Sequence, residues 1–306
     1  MFYRTFLPKK IRNRLALKAS IQQQQHLSDN FRKLLTLYYD NHLEKFSISA
    51  KKDLGTQKII WQYWGQGIDD NLPEIVKICF SSVDKYKGDY QVIRLDDRTI
   101  HDYIDLPDFV WQKRQNPAFK HAFFADLLRL ALLDTYGGIW ADATILLTAP
   151  IDDCIKNQEF FMFQRDNQAQ NQEFWQNFNA EYFGWHEQHS VNVLNSFIVG
   201  KKKNPVINHC LNILLNFWQT QNTIPHYFFF QIMFDVLIKE FIPEQNCPIL
   251  DDTLPHLLQT KLTKPFDQQD YQDIIGKINI HKMTYLDRKP SQQDTYYHHL
   301  LVGYGN

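Results

Sequence analysis

Apolar residues occur along this 306-residue chain in blocks whose spacing alternates between strand and helix. Strands are predicted from short runs of β-branched and aromatic residues at 58–64, 90–95, 160–165 and 193–200, and directly after residue 138. Helices are predicted over 73–86, 118–136 and 204–218, and from 226 onward. This alternation is typical of an α/β fold with a parallel sheet.

The longest apolar block surrounds two adjacent glycines, Gly137 and Gly138. The preceding helix is predicted to end there, because glycine takes the left-handed C-terminal position at no steric cost. The strand that follows is interrupted by one carboxylate, Asp142. A carboxylate in such a run is costly to bury unless a cation meets it. Asp142 is therefore either a structural carboxylate or part of a binding site.

The helix before the glycines carries two charges on an otherwise apolar surface. Asp126 and Arg129 are three residues apart, so they project from one face. One interpretation is an internal ion pair. The other is a polar stripe facing a cleft, where Asp126 accepts from hydroxyls and Arg129 meets phosphate.

A second polar stripe is predicted on the last long helix. Tyr227, Gln231 and Asp235 are spaced four apart among apolar residues. A cleft wall is the preferred interpretation, and an internal hydrogen-bond ladder is the alternative. Residues 168–188 show no period and are predicted to form an acceptor-facing loop with some helix.

Two strand ends offer features suited to a nucleotide. Gly65 follows the first strand, where its backbone can approach a ligand closely. Asp96 follows the second strand, a position from which a carboxylate accepts a hydrogen bond from ribose. Its neighbour Asp97 could instead cap the next helix.

Residues 125–129 (ADLLR) and 136–144 (YGGIWADAT) together resemble the capsular polysaccharide synthesis glycosyltransferases. These are relatives of glycosyltransferase family 32, which carries the DXD sugar-binding motif. The resemblance extends over about residues 58–282. It implies a GT-A fold, a Rossmann-like sheet that binds a nucleotide-sugar at the carboxyl ends of its strands. It further implies a retaining transfer from a nucleotide-diphospho-sugar, with UDP the expected nucleotide, to a bacterial capsular polysaccharide or a lipid-linked saccharide.

The resemblance also implies roles for individual residues. The first strand would lie beside the base, the strand at 193–200 would face the donor sugar, and Lys282 would offset pyrophosphate charge. The expected donor-binding residues are Trp61, Tyr63, Gly65, Asp96, Asp126, Arg129, Asp142, Asn195, Ser196 and Lys282. The residues expected to act in catalysis are Asp126, Asp142 and Gln231.

A metal cofactor, Mn²⁺ or Mg²⁺, is expected from the DXD resemblance. Asp142 matches the first carboxylate of the motif, but Thr144 stands at the second, so one hard oxygen anion is missing. GT-A enzymes often take a ligand from their C-terminal region, which makes His281 the second expected ligand. The metal is predicted to bind only once a nucleoside diphosphate supplies oxygens.

The N-terminal 55 residues are predicted to form a basic helical extension, and residues 56–306 the GT-A catalytic domain. Six basic residues precede the first acidic one: Arg4, Lys9, Lys10, Arg12, Arg14 and Lys18. A basic amphipathic segment over residues 1–21 could lie on an anionic membrane surface. Docking of this extension on the catalytic domain is the alternative.

The amino-acid composition argues against several classes of function. The formal net charge of −1 argues against nucleic-acid binding, which needs a basic surface. None of the four cysteines has metal-ligand spacing, which predicts reduced, mostly buried thiols in a cytoplasmic protein. No apolar run reaches the ~18 residues of a membrane span. Beside the transferase, two hypotheses stay open: a non-catalytic sugar-nucleotide or polysaccharide-binding subunit, and a sugar-phosphate transferase.

Overall fold

The structure is a computed structural model, and it describes residues 9–286 and 294–305. The strands are Ser49–Ala50 (β1), Ile59–Tyr63 (β2), Gln91–Leu95 (β3), Ile104–Asp105 (β4), Gly138–Ala141 (β5), Ile145–Leu147 (β6), Phe160–Gln164 (β7), Val193–Gly200 (β8) and Ile280–Lys282 (β9). The helices are Lys9–Tyr39 (α1), Glu74–Tyr86 (α2), Asp108–Arg114 (α3), His121–Tyr136 (α4), Asp153–Lys156 (α5), Gln172–Phe178 (α6), Pro205–Thr220 (α7), Phe229–Val236 (α8), Gln268–Ile275 (α9) and Tyr296–Tyr304 (α10).

The central sheet has five strands in the order β3-β2-β5-β8-β7. Strands β3, β2 and β5 are parallel, whereas β8 runs antiparallel to both of its neighbours. The predicted α/β class is confirmed. The prediction of a parallel sheet is correct only for β3, β2 and β5, and the sheet as a whole is mixed. The carboxyl ends of β2 and β5 therefore meet the amino end of β8 at one edge, where open α/β sheets bind ligands.

Gly137 and Gly138 join α4 to β5 as the sequence predicts. Both have positive φ angles, 74° and 109°. A Cβ at Gly137 would lie 2.7 Å from the Lys202 amide nitrogen, and one at Gly138 would lie 2.5 Å from the Ile59 carbonyl oxygen. Gly138 thus allows β5 to pack directly beside β2, and Gly137 allows the chain to pass close to the end of β8. Together they fix where β5 begins and where Asp142 lies.

Helix α1 is one continuous helix of 31 residues, longer than either helical pattern read from the sequence. Leu27, Phe31, Leu35 and Tyr38 are buried in the main hydrophobic core. The second half of α1 is therefore docked on the rest of the chain, which is the alternative interpretation of the extension. The domain boundary at residue 55 stays a prediction, and residues 1–8 of the predicted basic segment lie outside the described residues.

Membrane-spanning helices were sought among residues 9–286 and 294–305. None of the helices there is both long and apolar enough to cross a bilayer. The four cysteines are free thiols, and all but Cys154 are buried, as predicted.

A two-stranded antiparallel sheet pairs β6 with β9. Its register aligns Ile145 with Lys282 and Leu146 with His281. Because β6 begins three residues after Asp142, this pairing brings the C-terminal Lys282 to the end of β5. A contact between residues so far apart in sequence depends on the register of this short sheet.

Candidate functional site

A cleft of about 480 Å³ opens at the edge where β2, β5 and β8 meet. Ten of the residues that the sequence singled out line it: Tyr63, Gly65, Asp126, Arg129, Asp142, Asn195, Ser196, Tyr227, Gln231 and Lys282. They come from six different parts of the chain, so only the fold brings them together. Their individual roles remain predictions.

Arg129 holds two carboxylates at the base of the cleft. Its Nη1 donates to Asp126 Oδ1 at 2.8 Å, and its Nη2 donates to Asp142 Oδ1 at 3.1 Å. Trp140 Nε1 also donates to Asp142 Oδ1, at 2.7 Å. The Asp142 side chain is 24% exposed, against 8% for Asp126. The internal ion pair and the cleft-facing stripe thus both occur, and Asp142 is the carboxylate that a ligand reaches more easily.

Burial raises the pKa of Asp126 to about 7. The positive charge of Arg129 and the hydrogen bond from Asn195 act against this shift, whereas the negative charge of Asp142 adds to it. The Asp126 carboxyl therefore titrates near neutral pH, a property that is common at functional sites.

A chain of side-chain amides crosses the cleft from α8 to α4. Asn195 Nδ2 donates to Asp126 Oδ1 at 2.8 Å, and Gln231 Nε2 donates to Asn195 Oδ1 at 3.0 Å. The Gln231 Oε1 atom is buried and has no hydrogen-bond partner among the described residues. A buried acceptor without a partner is rare in folded proteins, and here it belongs to a side chain that lines the cleft. A ligand hydroxyl or amide could satisfy it.

Lys282 approaches the same region from β9. Its ammonium donates to the Thr144 hydroxyl, and it lies 3.3 Å from the Met283 carbonyl oxygen. Burial lowers the pKa of Lys282 from its usual value, while the nearby charge of Asp142 partly opposes the shift. An anion bound in the cleft would favour the charged ammonium.

Two residues predicted to bind the donor lie away from the cleft. Trp61 is fully buried, and its Nε1 donates to the Gly137 carbonyl at 3.0 Å, so it is a core residue. The neighbouring Trp64 lines the cleft instead. Asp96 Oδ1 accepts from the backbone amides of Arg98 and Thr99, at 2.9 and 3.0 Å, and so closes its own turn.

The polar stripe predicted on the last long helix does not form as a unit. Helix α8 begins at Phe229, so Tyr227 precedes it and is 62% exposed at the mouth of the cleft. Asp235 lines a separate cavity, where it pairs with Lys239 at 2.7 Å and accepts from Asn192 Nδ2 at 2.9 Å. Only Gln231 and Tyr227 therefore belong to the cleft.

His281 lies on the opposite face of β9 from Lys282, because adjacent strand residues point to opposite sides. It is fully buried, and its Nε2 lies 3.1 Å from the Thr148 hydroxyl. Burial lowers its pKa to about 3. It is not among the residues that line the cleft, so the structure does not bring it together with Asp142.

The expected metal ion can be tested against the side chains near Asp142. Asp142 Oδ1 already accepts two hydrogen bonds, and the Thr144 hydroxyl accepts one from the Lys282 ammonium. Within the described ranges there is no group of three or more His, Cys, Asp or Glu side chains arranged to hold a metal. Mn²⁺ and Mg²⁺ require hard oxygen ligands. Asp142 could offer its second oxygen, Oδ2, because both hydrogen bonds end on Oδ1. One carboxylate oxygen beside an ammonium does not make a site at which the protein alone holds a divalent ion.

Several cleft features were missed in the sequence. Asp97, not Asp96, supports the cleft: it accepts from the Tyr63 hydroxyl and from Arg114 Nη2, each at 2.5 Å. His121 lies beside this network and lines the cleft near Gly65, where any side chain would collide with it. The pair of acidic residues was a visible signal, but the sequence could not show which one turns inward.

Aromatic side chains that line the cleft form a second group that the sequence did not single out. They are Phe123, Phe178, Tyr182, Phe183, Phe228 and Tyr285. Three of them belong to the segment predicted as an acceptor-facing loop, which contains α6. No motif marks these positions, because aromatic residues are as common in cores as in binding sites.

Comparison with known proteins gives the class of the chain. The sequence pattern of the family described as "Capsular polysaccharide synthesis protein" matches residues 11–300, nearly the whole chain. The protein therefore belongs to the capsular polysaccharide synthesis family.

Curated proteins and solved structures give no closer identification of the chain. No curated protein matches the chain. Among solved structures, one titled "PaToxG Glycosyltransferase" is similar, at 16% sequence identity and a TM-score of 0.34. The match covers 87% of this chain and 95% of that one. An identity and a TM-score this low do not establish a shared fold, so the GT-A fold and the kinship with family 32 stay predictions.

Proposed function

We propose that the protein is a glycosyltransferase that moves a sugar from a nucleotide-diphospho-sugar to a growing capsular or other surface polysaccharide. One observation carries the proposal. Two cations, Arg129 and Lys282, and two carboxylates, Asp126 and Asp142, surround a single cleft at the ligand-binding edge of an α/β sheet. Membership of the capsular family supports it.

The two cations suit the diphosphate of such a donor. Arginine and lysine both bind phosphate oxygens through charge-assisted hydrogen bonds. When the bond between the anomeric carbon and the diphosphate oxygen breaks, its electron pair stays on that oxygen. Positive groups already in place would stabilise the charge that develops there, without reorganising at the moment of reaction.

The rest of the cleft suits the other parts of the donor. Tyr63, Trp64 and Gly65 lie at the end of β2, where a nucleoside would stack against the aromatic rings. Asn195 and Gln231 offer amide groups for sugar hydroxyls, since Gln231 Oε1 has no hydrogen-bond partner in the described part of the chain. Asp126 accepts hydrogen bonds from both the Arg129 guanidinium and the Asn195 amide. It thereby orients two side chains that would contact the donor.

The acceptor would enter past Tyr227, whose exposed ring stands at the mouth of the cleft. Aromatic faces bind the apolar faces of sugars. UDP-sugars are the first donors to test, and retention of the anomeric configuration is proposed on the resemblance to family 32. Both follow from that resemblance and from no individual residue.

A panel of nucleotide-sugars tests the proposed function. The full-length protein is expected to hydrolyse one of them slowly in the absence of acceptor and to release a nucleoside diphosphate. Release of a nucleoside monophosphate would instead show a sugar-phosphate transferase. If no donor is bound or hydrolysed, the enzyme assignment fails and a binding subunit becomes the better hypothesis.

We further propose that the basic N-terminal segment holds the enzyme at the inner face of the cytoplasmic membrane, near its acceptor. Deleting residues 1–21 should release the protein from vesicles rich in anionic lipid. Each basic residue near such a surface contributes about 1 kcal/mol, an effect that high salt screens. The deletion spares the core residues Leu27 and Phe31 of α1.

Vesicle co-sedimentation at low and high salt measures this effect. Neutral vesicles serve as the control, because neither protein should bind them strongly. Equal binding of the truncated and full-length proteins to anionic vesicles would refute the membrane role.

A further inference from the structure

Two positive side chains from different elements converge on the three residues that follow β5. Arg129 of α4 donates to Asp142, and Lys282 of β9 donates to the Thr144 hydroxyl. The pairing of Lys282 with Ile145 fixes where the lysine backbone lies. The ammonium is therefore held at a defined place in the cleft.

The two cations differ in what neutralises them. Arg129 already pairs with both Asp126 and Asp142. The hydrogen-bond partners of Lys282 within residues 9–286 and 294–305 are a hydroxyl and a carbonyl, both uncharged. An ammonium has three N–H donors, and its burial costs free energy that an anionic partner would offset. Lys282 is thus the cation most suited to receive an anionic ligand.

We infer that Lys282, held by Thr144, supplies the positive charge at the donor's diphosphate, so that this protein binds its donor without a divalent cation. The inference rests on the proposed function, because it assigns the diphosphate to this cleft. It also explains the threonine: a carboxylate at position 144 would pair with Lys282 and neutralise it. The neutral hydroxyl positions the ammonium and leaves its charge available.

Calorimetric titration of the full-length protein with UDP, GDP, CDP and ADP tests the inference. Each titration is done once with EDTA and once with Mn²⁺. At least one nucleotide should bind, with dissociation constants in the two buffers that agree within about threefold. Lys282→Gln should weaken this binding by about tenfold or more, whereas Lys282→Arg, which keeps the charge, should retain most of it.

Lys277→Gln is the matched control, because it removes an exposed lysine from the same segment. It should leave nucleotide affinity unchanged. The double variant Thr144→Asp with Lys282→Gln exchanges the ammonium for a carboxylate beside Asp142. Its nucleotide binding should become dependent on Mn²⁺, since it then offers two hard oxygen anions.

Four outcomes would overturn the inference. Nucleotide binding by the wild type that requires Mn²⁺ would overturn it and leave the proposed function standing. Absence of binding by any nucleotide in either buffer would overturn both. Unchanged affinity in Lys282→Gln would show that another group meets the diphosphate. Tight binding by the double variant in EDTA would show that the ammonium at this position is dispensable.

Discussion

Arg129→Gln is expected to lower the free energy of unfolding by about 3–5 kcal/mol, the cost typical of breaking a buried ion pair by removing one partner. The arginine is 3% exposed and is hydrogen-bonded to both Asp126 and Asp142. Without it, Asp126 and Asp142 lose their shared cationic partner, and the pKa of Asp126, which Arg129 lowers, would rise further. Nucleotide binding should weaken as well, because a cation that lines the cleft is gone.

Urea denaturation at constant pH measures the stability change. Arg32→Gln is the matched control, since Arg32 pairs with Glu240 on the surface, where the two side chains are 45% and 40% exposed. Exposed pairs contribute about 0–1 kcal/mol, so the control should unfold almost as the wild type does. A similarly small loss in Arg129→Gln would mean that water already solvates the two carboxylates.

Asp126→Asn is expected to reduce donor turnover by about 100-fold or more, the scale of losing one preorganised electrostatic group. A neutral amide of the same size still packs in the site. Its amide oxygen can still accept from Arg129 and Asn195, but without the negative charge these hydrogen bonds are weaker, so both side chains are held less firmly in their orientation. Turnover should therefore fall by a large factor, while the melting temperature changes comparatively little.

The same substitution should change how stability depends on pH. The pKa of Asp126 rises from 3.8 to about 7 on folding, so between these values the folded protein holds a proton that the unfolded chain releases. Stability of the wild type therefore declines as pH rises through this window, by up to about 1.4 kcal/mol for each unit of pKa shift. Asp126→Asn should remove that part of the decline.

Asp134→Asn is the control for this variant. Asp134 is a buried carboxylate on the same helix that pairs with Lys203 at 2.6 Å and does not line the cleft. Its substitution should lower stability while donor turnover per folded molecule stays normal. If Asp126→Asn behaves in this way too, Asp126 is a structural partner of Arg129 and takes no part in the reaction.

Local patterns in the sequence determined much of the cleft. The helix that ends at Gly137, the strand after it and the shared face of Asp126 and Arg129 all follow from spacing over a few residues. Such spacing determines which side chains project from the same side of a helix or strand. It also identified Asp142, because a lone carboxylate in an apolar strand requires a partner.

Only the tertiary structure shows which other elements pack against the helix face of Asp126 and Arg129 and against the strand end at Asp142. Whether Asp96 or Asp97 faces the cleft depends on the turn after β3 and on Arg114 at the end of α3. Gln231 and Asp235 lie on the same helix, α8, but line different cavities. Which cavity each one lines depends on the residues from other elements that pack beside it.

The pairing of the short strands β6 and β9 determines where the side chains of the C-terminal residues lie. Its register directs Lys282 into the cleft and His281 into the core, and a shift of one residue would exchange them. Spacing along the chain records how a side chain is placed on its own helix or strand. The contacts that complete the cleft join residues on different elements, from 13 positions apart for Arg129 and Asp142 to 138 for Thr144 and Lys282, and these are set by the packing of the whole fold.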